Sequence, residues 1–173
     1  IKFVLNEMNE SIFEKWLHSE TSCTKKYPNR YINSLYLDDI NYSSVKDNLS
    51  GIANRYKLRL RWYGNNSSFE GIKPTLEKKL KKGRLGSKEY TPVIGIESNI
   101  YTLKIGEIFN EVTRQYDSEG IGLKDFYYPT LLVSYEREYF EDGNNLRVTL
   151  DKNIRYSVPT MSKSIKNLNW INH

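Results

Sequence analysis

Arg55-Tyr56-Lys57-Leu58-Arg59-Leu60-Arg61 sets four cations at alternate positions. Side chains on a strand alternate faces with period two. Arg55, Lys57, Arg59 and Arg61 therefore share one face, and Tyr56, Leu58, Leu60 and Trp62 share the other, which reads as a core face. Neighbours in the basic row stand about 7 Å apart. Unit charges at that spacing repel by roughly 2 kcal/mol at an effective dielectric of about 20, and by about 0.6 kcal/mol in water. Such a row calls for open solvent or a matching polyanion. An exposed strand face that is merely basic is the plainer alternative.

The next segment, Thr75-Leu76-Glu77-Lys78-Lys79-Leu80, places Glu77 and Lys79 on one face and Leu76 and Leu80 on the other, with Lys81, Lys82, Arg84 and Lys88 following. Pairing with the first strand would set a second basic row beside the first, where a purely structural protein would more naturally place carboxylates. A late hairpin repeats the theme. Val133, Tyr135, Arg137 and Tyr139 share a face of Leu131–Tyr139, and Arg147, Thr149 and Asp151 share a face of Asn145–Asp151. Arginine grips phosphate oxygens with a planar fork, whereas lysine acts as a point charge. Glu77 and Asp38 are the acids best placed by alternation to hold a divalent ion through oxygen. No serine or cysteine stands in a triad setting and no Walker-type loop occurs. His18 reads as structural or exposed, and Cys23 as an incidental loop thiol.

The elements that must position these residues follow from periodicity. Residues 1–5 read as a strand end, Asn9–Glu20 as an amphipathic helix, Pro28-Asn29 as a loop and Tyr31–Asp38 as a strand. Tyr42–Leu49 reads as a short helix, Asn54–Tyr63 as a strand, and Lys73–Leu80 as its hairpin partner, ahead of a basic loop through Gly83 and Gly86. Tyr101–Tyr116 has Ile105, Ile108, Phe109, Val112 and Tyr116 on one helical face. Leu131–Tyr139 and Asn145–Leu150 flank the turn Asp142-Gly143-Asn144. The tail after Pro159 is polar and weakly patterned. With 173 residues, 38% of them hydrophobic, the chain suits one soluble domain with a true core. Its net charge of +5 is too modest to name a partner. One cysteine excludes an intrachain disulfide, and no apolar run is long enough to span a membrane. The fold class expected is α+β, mostly antiparallel strands with helices packed outside. The chain opens at Ile1 rather than Met, which reads as a trimmed chain.

The ordered set Tyr31-Ile-Asn-Ser-Leu-Tyr-Leu-Asp38, Lys57-Leu-Arg-Leu-Arg-Trp-Tyr-Gly64, Leu76-Glu-Lys-Lys79, Lys88, Tyr135-Glu-Arg137 and Leu146-Arg-Val-Thr-Leu-Asp151 resembles the VTC domain. This is the catalytic domain of the vacuolar transporter chaperone polyphosphate polymerases, with bacterial members, within the CYTH-like triphosphate tunnel metalloenzymes. The resemblance runs from Lys2 to about Asp151. It implies an antiparallel β-barrel or tunnel over residues 1–173, lined with basic residues and lacking its closing strand. It implies binding of ATP, pyrophosphate or polyphosphate and phosphoryl transfer assisted by Mn²⁺ or Mg²⁺. Carried over by position, Lys2, Arg59, Arg61, Lys79, Lys88, Tyr135, Arg137 and Arg147 resemble phosphate ligands. Arg59, Arg61, Lys79 and Arg137 resemble the catalytic set, and Glu77 is the candidate metal ligand. A cytoplasmic place, at the inner membrane face through a membrane-protein partner, follows from the same resemblance.

Two departures from the family pattern stand out. No glutamate precedes Lys2, and no Glu-x-Lys-type motif follows Asp151. Both would weaken metal-dependent turnover more than anion binding, so a phosphate- or polyphosphate-binding or sensing module is the alternative, with triphosphate hydrolysis a third option. Nucleic-acid binding is disfavoured. Single-strand binders interleave aromatics with cations on one face, whereas Tyr56 and Trp62 lie opposite the basic row.

Overall fold

In the computed structural model of the chain, residues 2–65, 71–117, 127–144 and 146–173 are described, apart from the side chains of residues 7 and 8. The elements in order are α1 (Glu7–Glu20), β1 (Thr24–Asp38), α2 (Ser43–Leu49), β2 (Asn54–Tyr63), β3 (Thr75–Lys82), β4 (Leu85–Pro92), α3 (Ile105–Asp117), β5 (Tyr128–Glu141), β6 (Arg147–Ser157), a 3-10 turn (Ile165–Asn167) and β7 (Ile171–Asn172). The strands form one antiparallel sheet, ordered β4-β3-β2-β1-β5-β6-β7. Among the described residues the sheet is not closed, and β4 and β7 are its edges. The class is α+β, as the sequence predicts.

The chain divides into two compact units, one of Ile1–Arg30 with Glu136–Lys152 and one of Tyr31–Tyr135 with Asn153–His173. In the second and larger unit the alternation of β2 decides the core. Register sets Leu35 opposite Leu60, Leu37 opposite Leu58, and Leu60 opposite Leu76. These leucines and Trp62 are buried in one cluster with Ile105, Ile108, Phe109, Val112 and Tyr116 of α3. Full burial of one such side chain stabilises by about 1.5–3 kcal/mol. Gly106 permits a close approach here: its N–H donates to the Met161 carbonyl at 3.0 Å, and a Cβ would stand 3.1 Å from that oxygen.

The smaller unit has its own cluster, Leu17, Cys23, Phe140 and Leu150, with Phe13 and Val148 against it. Cys23, in the loop between α1 and β1 as expected, is buried in this core, and His18 is exposed with its ring edge-on to Phe140 at 6.0 Å. Asn6 caps α1 by accepting from the Asn9 N–H at 2.8 Å. Lys152 forms ion pairs with Glu10 at 3.1 Å, with Glu138 at 3.3 Å, and with Glu14. Burial opposes the Lys152 charge, but its three carboxylate partners outweigh that and raise its pKa. Burial likewise opposes the Glu138 charge, yet hydrogen bonds from Asn29 and Lys152 lower its pKa.

The signs fix two windows. The Lys152 contribution is complete below the ordinary lysine pKa and is lost as pH rises through the raised one. The Glu138 contribution is present above the ordinary glutamate pKa and is lost as pH falls through the lowered one. We predict that Lys152→Met costs about 1–2 kcal/mol at neutral pH, a value discounted for solvent screening. The deficit should shrink at acid pH, as pH falls through the lowered Glu138 value. Urea unfolding at both pH values checks this, and an equal deficit at both would remove the electrostatic account.

Several expected elements differ. Residues 2–6 form no strand among the described residues, and Phe3 and Val4 lie exposed. Pro28-Asn29 does not break the chain: β1 runs through it, because proline's fixed φ suits an extended strand and Asn29 donates to Glu136 and Glu138 of β5 at 2.8 and 3.0 Å. The expected basic loop after β3 is in fact the strand β4, paired along its whole length with β3. β6 continues to Ser157, and the tail supplies Ile165 and Leu168 to the core. The first residue of the expected strand Asn145–Leu150 lies outside the described residues.

Candidate anion-binding face

On β2 the side chains opposite the core row are Arg55, Lys57, Arg59 and Arg61, as alternation requires. Their neighbours come from register. Arg61 lies opposite Ser34 on β1 and Thr75 on β3, and Arg59 opposite Tyr36 and Glu77. Lys57 lies opposite Lys79, which lies opposite Lys88 on β4.

The arginines are anchored. Arg59 donates through Nε to Glu77 Oε2 at 2.8 Å, and its Nη2 approaches the same oxygen at 2.6 Å. Its Nη1 donates to the Tyr36 hydroxyl at 3.3 Å, with the guanidinium 5.9 Å from the Tyr36 ring centre. Burial works against its charge, but the bonds to Glu77 and Tyr36 outweigh it and raise its pKa. Arg61 donates through Nε to Ser34 Oγ at 3.4 Å and stands 3.7 Å from Glu77 Oε2. The side chains of Arg59, Arg61 and Glu77 are 26%, 15% and 15% exposed, so the group is drawn out of bulk water without being sealed. One carboxylate thus serves two guanidiniums, and a net positive charge is left over.

The lysines are arranged differently. Lys57, Lys79 and Lys88 form a row across three strands and make no ion pair with any described residue. Directly opposed side chains start about 5 Å apart at Cβ. Like charges held there would repel by about 3 kcal/mol at a dielectric of about 20 and by about 0.8 kcal/mol in water. Lys79 and Lys88 are exposed and Lys57 half-buried. Solvent keeps the row tolerable, and an incoming polyanion would meet three undischarged ammonium groups beside two oriented forks.

Of the other expected site residues, Tyr135 belongs to this unit, and Lys2, Arg137 and Arg147 belong to the smaller one. Tyr135, at the end of its segment in this unit, is half-buried. In the smaller unit Arg137 forks onto Asp151, Nε to Oδ1 at 2.6 Å and Nη2 to Oδ2 at 2.7 Å. Arg147 is 78% exposed and pairs with Glu141 Oε1 at 3.3 Å. Lys2 is exposed ahead of α1. Arg55 turns to the carbonyl of Ile52 in its own loop. Tyr36 and Ser34 escaped the sequence reading of the site, although the alternation of Tyr31–Asp38 already puts them on one face.

Asp38 is not an available metal ligand. Its Oδ1 accepts from the Ser44 N–H at 3.0 Å and its Oδ2 from the Val45 N–H at 3.2 Å, which caps α2. Glu77 Oε2 faces the two guanidiniums. No cluster of three or more His, Cys, Asp or Glu side chains suited to a metal occurs among the described residues. Asp38 and Glu77 alone therefore do not form a site for a divalent ion.

The family model for the VTC domain matches residues 2–170, almost the whole chain and both of its units. The chain belongs to the VTC domain family. Among curated proteins, none matches. Membership relates this VTC domain to polyphosphate polymerases. No described helix of the VTC domain is long and apolar enough to cross a membrane.

Proposed function

We propose that this VTC domain binds the phosphates of a nucleoside triphosphate, pyrophosphate or polyphosphate on the basic face of β1–β4 and transfers phosphoryl groups from ATP to a phosphate chain. The row Lys57-Lys79-Lys88 beside the oriented forks of Arg59 and Arg61 carries this reading. Forks and ammonium groups spaced along a sheet match a linear chain of like-charged phosphates better than a single carboxylate.

The transfer asks little covalent chemistry of the protein. A terminal phosphate oxygen of the acceptor attacks the γ-phosphorus, the bond from that phosphorus to the β–γ bridging oxygen breaks, and ADP leaves. Nucleophile and leaving group are both phosphate oxygens, so positioning and charge neutralisation dominate. Arg59 and Arg61 would hold non-bridging oxygens, with Tyr36 and Ser34 orienting the forks. Lys79 and Lys88 would neutralise the trailing phosphates. The domain would be CYTH-like and bacterial, would depend on Mn²⁺ or Mg²⁺, and would work in the cytoplasm beside a membrane-protein partner.

Full-length protein incubated with ATP and Mn²⁺ is expected to yield polyphosphate and ADP, followed by ³¹P NMR, and no product once the ion is chelated. Binding of pyrophosphate without any product would assign a binding or sensing module instead. Release of free orthophosphate would assign a hydrolase.

A further inference from the structure

In the larger unit, the face of the sheet opposite Arg59 and Arg61 holds a second set of cations. Asn33 alternates with Ser34 on β1, so it lies across the sheet from the Arg61 contacts. A cavity of about 160 Å³ opens beside it, lined among others by Asn33, Tyr101, Ser134, Arg155, Lys166 and Trp170, and by no acidic residue among those described.

The cavity has a polar, buried back. Asn33, Tyr101 and Ser134 are all less than 5% exposed. The Tyr101 hydroxyl accepts from Asn33 Nδ2 and Trp62 Nε1, each at 3.1 Å, and donates to the Gly64 carbonyl at 2.6 Å. That hydroxyl is saturated. Ser134 also lines the cavity and is 2% exposed.

The mouth is cationic. The Arg155 guanidinium lies 4.5 Å from the Trp170 ring centre, a stacking that fixes its plane. Neither Arg155 nor Lys166 makes an ion pair with any described residue. The Lys166 backbone is pinned by its N–H to the Tyr101 carbonyl at 3.1 Å. Bulk water takes about 30 Å³ per molecule, so the space suits roughly five waters or one tetrahedral oxyanion with a water or two.

We propose that this cavity is a binding site for a small inorganic oxyanion of the size of orthophosphate, separate from the basic face. Arg155 and Lys166 grip it at the mouth, and the Ser134 hydroxyl donates to it at the back. Whether the basic face transfers phosphoryl groups has no bearing on this site.

The test is a titration of the full chain with orthophosphate, read by Trp170 fluorescence, with Trp170→Phe identifying the reporter. A saturable change is expected. Arg155→Gln, Lys166→Ala and Ser134→Ala should each weaken it by about tenfold or more, as the loss of a hydrogen bond to a charged group does. Arg59→Ala should leave it unchanged. Circular dichroism confirms that each variant is folded, and exposed Lys166 gives a change that the fold tolerates. No saturable signal, a signal indifferent to both Arg155→Gln and Lys166→Ala, or one abolished by Arg59→Ala would each overturn the proposal.

Discussion

Arg59→Ala is expected to weaken pyrophosphate binding by about 10–100-fold, because one charge-assisted fork contributes about 1.5–3 kcal/mol. The fork is already held in place. Tyr36 and Glu77 fix the plane of the Arg59 guanidinium, so little side-chain entropy remains to be lost on binding. Arg59→Lys should recover only part of the loss, since an ammonium keeps the charge but not the planar pair of donors. Glu77→Gln should act in the opposite sense. Its Oε2 competes with the ligand for both Arg59 and Arg61, so neutralising it should tighten pyrophosphate binding, and more so at low ionic strength. Calorimetry at fixed salt measures all three. If Glu77 instead held a metal, Glu77→Gln would lower ion-dependent turnover and leave ion-free binding as it was. If Arg59→Ala bound pyrophosphate as well as the parent, the basic face would lose its assigned role.

How far these residues could be read from sequence depends on which side of each strand meets the core. β2 matches the expected Asn54–Tyr63 at both ends, because leucine and tryptophan alternate with cations without interruption and only one register buries them. The α3 face was equally plain, with the five apolar positions Ile105, Ile108, Phe109, Val112 and Tyr116 buried at helical spacing. β4 was not legible: seven of its eight residues are exposed, so no apolar period marks it, and it exists through its ladder with β3. The N-terminal half of β1 hid behind Pro28 for a related reason. All of its side chains up to Arg30 are exposed, and a proline-asparagine pair in a polar stretch looks like a turn.

The site shows the same division. Alternation placed Arg59, Arg61, Glu77 and Lys79 on one face, and the register then explained what alternation alone could not. Glu77 lies directly opposite Arg59, whereas Lys57, Lys79 and Lys88 oppose one another. Long-range partners are beyond any periodicity. Nothing local in the sequence joins Arg137 to Asp151, or Lys152 to Glu10 and Glu14 on α1. Asp38 shows the converse failure. Its strand position suggested a ligand, but five residues further on the chain enters α2, and the carboxylate is consumed by that helix's free N–H groups.

Tyr101→Phe is expected to lower stability by about 2 kcal/mol, equivalent to a fall in Tm of roughly 4–8 °C for a chain of this size. The ring would stay: Phe keeps the edge-on packing against Trp62, whose centre lies 6.2 Å away at 73°. Only the hydroxyl goes, and with it the acceptor of the Trp62 indole N–H. Trp62 is wholly buried, so its donor would have no water to turn to. Asn33 and the Gly64 carbonyl suffer less, because Asn33 Nδ2 also donates to that carbonyl at 2.8 Å. Gly64, at φ +112°, turns the chain there in a conformation that side chains disfavour, and the Tyr101 and Asn33 bonds to its carbonyl hold the turn. The pH dependence supplies a second readout. Burial raises the Tyr101 pKa, ahead of the opposing hydrogen bonds from Trp62 and Asn33. Its contribution is therefore complete below the ordinary tyrosine pKa of about 10 and declines as pH climbs towards the raised value. The parent should lose stability over that alkaline range more steeply than Tyr101→Phe. Thermal unfolding of both proteins from neutral to alkaline pH decides it: parallel curves with equal Tm would mean that the hydroxyl holds nothing in place.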